Sequence, residues 1–227
     1  EGHNVVYITL ELAPEVVGLR FDSCISGIQL NSLKRRKRDV ENVVKEVAGQ
    51  LKIKEYPTKT ATTNTLRNYL EKLRRQGFEP DVLVIDYADL LKPIDSKAEK
   101  RHDLESIYEE LRGIAQEYNL RVWTASQTNR SGLNAEIITM EAISEAFNKC
   151  FVADFIFTIS RTVEDRNKNE GRIFVAKNRN GPDGIVFPIF MDTSNVKIKV
   201  LPRRTAEETA TTIQSQKESI LKKYMKK

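Results

Sequence analysis

The stretch DVLVIDYADLL, residues 81–91, decides the fold of this chain. Its four consecutive apolar residues, 82–85, are followed at once by Asp86, and an apolar run of this length is typical of a strand buried in a parallel sheet. NTPases present a magnesium-associated carboxylate at the end of such a strand. A strand-end aspartate can also simply cap a turn, so this stretch alone leaves both interpretations open.

Two other strand-like runs end in a polar residue suited to the same chemistry. VVYITLE, residues 5–11, ends in Glu11, and LRVWTASQ, residues 120–127, ends in Gln127. In an open α/β sheet the carboxyl ends of parallel strands meet at one crevice. We therefore expect Glu11, Asp86 and Gln127 to line a single site.

Helical patterns alternate with these runs. Residues 13–27 carry Pro14 in an expected first turn, while residues 63–76 and 103–118 place apolar side chains at helical spacing. Gly77 ends the second of these patterns. Strands that alternate with helices of this length predict an α/β fold with a central, mostly parallel sheet flanked by helices.

Beyond residue 131 the pattern changes to short strands. NGPDG, residues 180–184, has strong turn chemistry and predicts a β-hairpin between the strands on either side of it. We therefore expect an antiparallel β extension near the C-terminus. The four expected strands are DFIFTIS, RIFVAKN, GIVFPIF and VKIKVL.

Length and composition fit one large domain. Of the 227 residues, 40% are hydrophobic, which is enough for a proper core; we place the domain at residues 1–202 and a polar tail at residues 203–227. No apolar run approaches the roughly 20 residues needed to span a membrane. Cys24 and Cys150 are too few and too far apart for a disulfide framework or a metal cluster, which favours a reducing cytoplasm.

The chain carries more basic than acidic residues. A net charge of +5 permits binding to nucleic acid without requiring it. The densest basic cluster is KRRKR, residues 34–38. It is open to two interpretations, a phosphate-binding or nuclear-localisation patch and a solvated surface, of which the second is the more common.

Five stretches of the chain, in their order and spacing, resemble the RecA-type motor domain of DnaB-family replicative helicases. EYPTKTATTNTLRNYLEKL, residues 55–73, further resembles the branch found in T-even-like phages. The resemblance covers most of residues 4–200 and implies the motor of a 5′-to-3′ replicative DNA helicase, an ATP-dependent enzyme. The five stretches are VVYITLEL at 5–12, DVLVIDYADLL at 81–91, TASQTNRSG at 124–132, ADFIFTISR at 153–161 and FVAKNRNGPDG at 174–184.

The resemblance implies roles for particular residues. Glu11 matches the glutamate that polarises the attacking water, a task that suits a carboxylate near magnesium-bound phosphate. Asp86 matches the acid that holds Mg²⁺ through water, and Gln127 matches the glutamine that senses the γ-phosphate of ATP. Lys177 and Arg179 match the paired basic residues that reach the neighbouring subunit's nucleotide, with Arg179 as the arginine finger.

A finger that acts on a neighbouring subunit implies a ring, which in this family is a hexamer. The resemblance also implies single-stranded DNA as the track, a primase and a helicase loader as partners, and a cytoplasmic location, in the host if a phage encodes the chain. Two loops, after the strands ending in Asp86 and Gln127, would contact DNA phosphates rather than stack on bases, because aromatics are few there. The residues expected to do so are Lys97, Lys100, Arg101, Arg130, Ser131, Gly132 and Asn134.

One departure from the family is serious. The phosphate-cradling G-x-x-x-x-G-K-[ST] loop does not occur in residues 1–227. In the family this loop lies one helix upstream of the Glu11 strand, so we expect these residues to be part of a longer protein and to hydrolyse little or no ATP alone. Two alternatives stay open: a RecA- or KaiC-like ATPase of recombination or regulation, and a non-catalytic module of the same fold that serves oligomerisation or loader binding.

Overall fold

The computed structural model describes residues 2–96, 100–129, 135–142 and 148–202, and within them the strands form two sheets. The strands are β1 (Val5–Thr9), β2 (Leu51–Glu55), β3 (Val82–Asp86), β4 (Arg121–Thr124), β5 (Phe155–Ser160), β6 (Glu170–Asn178), β7 (Ile185–Asp192) and β8 (Lys197–Val200). The α-helices are α1 (Pro14–Ser26), α2 (Lys37–Lys45), α3 (Thr63–Arg75), α4 (Lys100–Glu117), α5 (Lys149–Val152) and α6 (Val163–Asn167). Short 3₁₀ helices lie at Leu30–Arg36, Ala88–Leu90 and Met140–Ala142. The predicted tail, residues 203–227, lies outside the described residues.

The first sheet is parallel, with the strand order β2-β1-β3-β4. Thr9 at the end of β1 lies opposite Asp86 at the end of β3. Ile85 lies opposite Thr124, which brings the end of β4 to the same edge. The predicted parallel sheet with converging carboxyl ends is therefore confirmed.

Helices cover both faces of the parallel sheet. Because successive strand residues point to opposite faces, Ile8 and Tyr7 of β1 contact different helices. Tyr7 meets Phe21 of α1 edge-on, with ring centroids 5.6 Å apart. On the other face, the core against α3 and α4 includes Ile8, Leu66, Leu70, Ile85, Leu111 and Ile114.

None of the helices, as far as the chain is described, is both long and apolar enough to cross a membrane.

The helix ends follow their sequence signals. Pro14 begins α1, and Gly27 ends it with a φ of 68°, a left-handed conformation that glycine adopts without steric cost. At the start of α3, Thr62 and Thr65 form a reciprocal capping box. The predicted helices at these two places are confirmed to within about a residue.

The second sheet is antiparallel, with the strand order β5-β6-β7-β8. The predicted hairpin joins β6 to β7, and Gly184 in its turn has a φ of 69°. Within the described residues these strands form a sheet of their own instead of hydrogen-bonding to β4. Trp123 of β4 and Phe157 of β5 meet edge-on with ring centroids 6.2 Å apart, so the two sheets are in contact through side chains.

Two predicted strands are shorter in the structure. The run VVYITLE forms a strand only as β1, and the run LRVWTASQ only as β4, so the strand extents predicted to Glu11 and Gln127 were wrong. At both endings a threonine hydroxyl bonds to nearby backbone groups, and such local bonds compete with further strand pairing. Thr9 Oγ1 donates to the carbonyl of Leu12 at 2.6 Å, and Thr124 Oγ1 accepts from the backbone N–H of Ala88 at 2.9 Å.

Neither α2 nor β2 was predicted, and the short helices α5 and α6 were not predicted either. The buried residues Ile28, Leu33 and Val40 form a small cluster that holds the 3₁₀ helix and α2 together. The basic cluster at residues 34–38 lies between Leu33 and Val40 and is exposed. β2 pairs with β1 at the edge of the parallel sheet and is mostly exposed as well.

Leu70 of α3 tests the packing of the core because its side chain is fully buried. Replacing it with alanine is expected to lower the free energy of unfolding by about 2–5 kcal/mol, since apolar contacts are lost and a cavity is left. Chemical denaturation measures the change. Leu19→Ala on α1, where the leucine is 39% exposed, is the matched control and should change it by less than about 0.5 kcal/mol. Equal effects at the two positions would contradict the core described above.

Candidate functional site

Asp86 is the last residue of β3 and is held by a tyrosine of β1. The hydroxyl of Tyr7 donates a 2.7 Å hydrogen bond to Asp86 Oδ2. Burial, followed by this bond and the charge of Asp86, raises the pKa of Tyr7, so its hydroxyl stays protonated and continues to donate near neutral pH. The bond orients the carboxylate and leaves its second oxygen without a side-chain donor among the described residues.

Glu11 follows β1 by two residues, in a turn that is fixed on both sides. Thr9 Oγ1 donates to Leu12 O at 2.6 Å and accepts from Leu12 N at 3.0 Å. Leu10 is buried, and its backbone N–H donates to the carbonyl of Asp86 at 2.9 Å. The backbone of Glu11 is therefore held beside Asp86, while its own side chain is exposed.

Gln127 lies three residues beyond β4. Thr124 Oγ1 donates to the carbonyl of Ile85 at 2.9 Å, which ties the end of β4 to the end of β3. Gln127 Nε2 donates to the hydroxyl of Tyr87 at 2.9 Å, and Tyr87 directly follows Asp86. The structure thus brings the ends of all three strands, and the three predicted residues on them, to one edge of the sheet.

The donor set at this edge fits a magnesium ion that is held mainly by phosphates and water. Nowhere in the described ranges does a group of three or more His, Cys, Asp or Glu residues form a possible metal site. Mg²⁺ usually takes only one or two protein carboxylates and keeps several waters and substrate phosphate oxygens. Asp86, with one carboxylate oxygen oriented by Tyr7, fits that limited role.

Lys177 and Arg179 reach the same short helix, α5, and the residues just after it. Lys177 Nζ donates to the carbonyls of Cys150 at 2.8 Å and Phe151 at 3.0 Å, and Arg179 Nη2 donates to Phe151 O at 3.4 Å. Arg179 Nη1 also lies 3.0 Å from Asp154 Oδ1. Burial, followed by the charge of Arg179, lowers the pKa of Lys177. The side chain of Arg179 is 45% exposed and is accessible to solvent.

Residues 1–196 match the family described as DnaB-like helicase C terminal domain. The chain belongs to this family. It is 30% identical over 192 residues to the DnaB-like replicative helicase of Enterobacteria phage T4, which covers 79% of this chain and 40% of that protein. It is 26% identical over 136 residues to the replicative DNA helicase DnaB of Helicobacter pylori strain J99, covering 58% of this chain and 28% of that protein. The chain thus spans less than half the length of these curated relatives.

Two solved structures share the fold of this DnaB-like domain. One is a DnaB-like replicative helicase described with its interactions with primase; the TM-score is 0.74 at 18% identity, covering 88% of this chain and 51% of that one. The other is an ATPase domain, with the same TM-score and identity, covering 88% of this chain and 75% of that one. At this identity the likeness shows the fold alone.

The residues predicted to contact DNA are largely outside the described part of the DnaB-like domain. Lys100 begins α4, and Arg101 follows it with an exposed side chain. Their role stays a prediction. Lying outside the described residues are Lys97, Arg130, Ser131, Gly132 and Asn134.

The sequence did not indicate the tyrosines that orient the predicted residues of the DnaB-like domain. Tyr7 holds Asp86, and Tyr87 accepts from Gln127. The available signal was weak: Tyr7 is the one residue with a long polar tip inside the apolar run VVYI, and Tyr87 follows the strand-end aspartate. Only the pairing of the strands shows which carboxylate or amide each hydroxyl meets.

Proposed function

We propose that this chain is the ATPase motor domain of a replicative DNA helicase, which translocates on single-stranded DNA and unwinds duplex DNA by NTP hydrolysis. The observation that carries the proposal is the family match over residues 1–196. The convergence of Glu11, Asp86 and Gln127 on one sheet edge supports it. A base, a carboxylate for magnesium and an amide donor are the groups that hydrolysis of a nucleoside triphosphate uses.

Each of the three residues is suited to one task. Glu11 is the general base, because its exposed carboxylate stands on a fixed turn and can accept a proton from the attacking water. Asp86 would hold Mg²⁺ through water, and Tyr7 orients its carboxylate for that role. The ion, when bound, neutralises charge on the phosphates of ATP. Gln127 donates an amide N–H at the same edge and senses the γ-phosphate.

Arg179 is the arginine finger of this proposal, and Lys177 is its partner at the neighbouring subunit's nucleotide. A planar guanidinium can stabilise the charge that develops on the transferred phosphoryl group. The exposure of Arg179 supports this role, because a finger has to extend from the surface of its own subunit to reach the neighbouring nucleotide. The active assembly is then a ring, a hexamer as implied by the family. Primase and a helicase loader are its proposed partners, and a structurally similar DnaB-like helicase interacts with primase.

Single-stranded DNA is the proposed track, contacted by the two loops that follow β3 and β4. The cationic and polar side chains predicted there suit phosphates, which a motor can grip without reading sequence. The seven residues proposed for this contact are Lys97, Lys100, Arg101, Arg130, Ser131, Gly132 and Asn134.

Two other functions are weaker candidates. Membership of the DnaB-like family favours a replicative helicase over a RecA- or KaiC-like ATPase of recombination or regulation. The absence of a G-x-x-x-x-G-K-[ST] loop from residues 1–227 is the observation that favours a non-catalytic module for oligomerisation or loader binding. A Gly-Lys-Thr or Gly-Lys-Ser sequence upstream in the same reading frame would favour the motor.

ATP hydrolysis with and without single-stranded DNA tests the proposed function. We expect the full-length gene product to hydrolyse ATP and single-stranded DNA to accelerate it. Residues 1–227 alone should hydrolyse little or none, because they lack the loop whose amides and lysine cradle the phosphates. Substantial turnover by residues 1–227 would contradict the second expectation. A folded full-length protein that hydrolyses nothing in either condition would support the non-catalytic module.

A further inference from the structure

A buried lysine lies beside the candidate site and has no role in the chemistry proposed above. The side chain of Lys149, the first residue of α5, is only 2% exposed. Its Nζ lies 2.8 Å from Asp89 Oδ2 and donates to Ser126 Oγ at 2.7 Å. Ser126 Oγ in turn donates to Asp89 Oδ2 at 3.1 Å, and Tyr108 OH donates to Asp89 Oδ1 at 2.8 Å. We call these four residues the Lys149 cluster.

Burying the charged groups of the Lys149 cluster costs free energy, so stability alone does not explain the cluster. Removing a lysine ammonium from water is costly, and a pair of hydrophobic residues in the same space is often at least as stable. What an ion pair with several hydrogen bonds provides instead is a defined geometry. Lys149 Nζ donates to two of these oxygens and also lies 5.7 Å from the centre of the Tyr108 ring.

The Lys149 cluster joins the ends of two strands to α5. Asp89 lies three residues after Asp86, and Ser126 directly precedes Gln127. Both are thus on the segments that carry the proposed magnesium and γ-phosphate residues. Because Lys149 is the first residue of α5, its two bonds fix the position of that helix relative to this sheet edge.

The two residues of α5 that follow Lys149 contact the proposed finger and its partner lysine. The carbonyls of Cys150 and Phe151 accept from Lys177 Nζ, and Phe151 O also accepts from Arg179. Since α5 has only four residues, the position of Lys149 determines that of these carbonyls. The contacts therefore run without a break from Ser126 through Lys149 and α5 to the basic pair at the end of β6.

We propose that Lys149 is a positioning residue that couples the nucleotide-sensing edge of the parallel sheet to the finger, by setting the place of α5 and so of Lys177 and Arg179. This inference rests on the proposed function, in which Arg179 acts on the neighbouring subunit. It assigns to Lys149 an effect on the neighbour's site rather than on its own. A residue with only a structural role would not act selectively across the interface.

Mixed rings of the full-length gene product separate the two effects. Subunits carrying Glu11→Gln cannot hydrolyse at their own site, so a further effect of Lys149→Met on that site is invisible. When small fractions of Glu11→Gln/Lys149→Met subunits are mixed into wild-type rings, we expect the turnover lost per added subunit to be roughly twofold that of Glu11→Gln alone. The reason is that each such subunit silences its own site and also impairs the next one.

Three further variants, each combined with Glu11→Gln, complete the design. Arg179→Ala gives the loss expected when the finger is absent. Arg67→Met is the matched control. Arg67 joins α3 to α4 through two ion pairs of 2.8 Å, the same distance as in the ion pair of Lys149. The Arg67→Met substitution should add no loss of turnover beyond that of Glu11→Gln. Ser126→Ala removes the hydroxyl that links Lys149 to the segment carrying Gln127, and it keeps the Lys149–Asp89 pair. It is the test variant for the coupling if Lys149→Met subunits fail to fold or assemble.

The outcomes distinguish this inference from the proposed function. If Arg179→Ala adds a steep loss of turnover but Lys149→Met adds none beyond that of Glu11→Gln, the coupling is overturned and the finger assignment stays intact. Where Ser126→Ala replaces Lys149→Met, the same result has the same meaning. If Arg179→Ala itself adds no loss, the finger assignment fails and the coupling fails with it. Additional loss with Arg67→Met equal to that with Lys149→Met would show a general structural effect and also overturn the coupling.

Discussion

Replacing Glu11 with glutamine in the full-length gene product is expected to lower ATP turnover by about 10²- to 10⁴-fold, the usual contribution of a general base. Glutamine has the same shape but cannot accept a proton from the attacking water. Nucleotide binding should persist, because the bonds between Thr9 and Leu12 that fix this turn do not involve the side chain of Glu11. Steady-state hydrolysis with single-stranded DNA, and titration with a fluorescent ATP analogue, measure the two effects separately.

The control for this substitution is Glu15→Gln in the first turn of α1, which removes an exposed carboxylate four residues away. It should leave turnover within about twofold of the wild type, because nothing in the proposed chemistry uses it. Comparable losses from both substitutions would indicate a general charge effect. Retention of turnover in Glu11→Gln, with binding intact, would require a different base.

The parallel half of the fold was predictable because its signals are local. An apolar run such as residues 82–85 can be satisfied only in a buried strand or helix, and helical spacing at residues 63–76 leaves little choice of fold class. Proline and glycine at the ends of α1 set its limits for reasons of backbone geometry. The resemblance to a helicase family, now shown by the match over residues 1–196, depended on the same strand-end residues.

β2 and α2 escaped prediction because their stability comes from distant contacts. β2, with the sequence LKIKE, has only one half-buried residue and forms because β1 offers it an edge. α2 buries only Val40, against Leu33 and Ile28 from the preceding segment. Propensity and periodicity over so few buried positions give weak signals, since tertiary pairing decides the outcome.

The pairings within the site were also beyond the reach of sequence. Glu11, Asp86 and Gln127 could be chosen because strand ends converge by topology. The bond between Tyr7 and Asp86 joins residues 79 apart in sequence, and that between Lys149 and Asp89 joins residues 60 apart. Which hydroxyl or ammonium meets a given carboxylate depends on strand register and helix placement, and no local pattern encodes either.

The contacts of Arg179 within its own subunit are compatible with a role outside it. Its ion pair with Asp154 involves side chains that are 45% and 57% exposed, and exposed pairs of this kind contribute only about 0–1 kcal/mol. An arginine finger commonly accelerates phosphoryl transfer by about 10³–10⁵-fold, which corresponds to roughly 4–7 kcal/mol. The free energy needed to break the ion pair between Arg179 and Asp154 is therefore far smaller than the stabilisation that Arg179 gives to the transition state.

Rings made only of Arg179→Ala subunits are accordingly expected to lose on the order of 10³-fold or more of their turnover. Arg179→Lys keeps the charge but loses the planar fork, and should be intermediate. Arg75→Ala, at an exposed arginine that ends α3, is the control and should change turnover by less than about twofold.

Complementation between two inactive variants tests whether Arg179 acts across the interface. Arg179→Ala subunits keep an intact Glu11, and Glu11→Gln subunits keep an intact Arg179. In rings assembled from equal amounts of both, about a quarter of the interfaces place a functional Glu11 site beside a functional finger, so turnover should recover from near zero to a measurable fraction of the wild type. Recovery cannot occur if Arg179 serves its own subunit, because no subunit then carries both groups. Mixed rings that form but stay inactive would thus rule out the finger in trans.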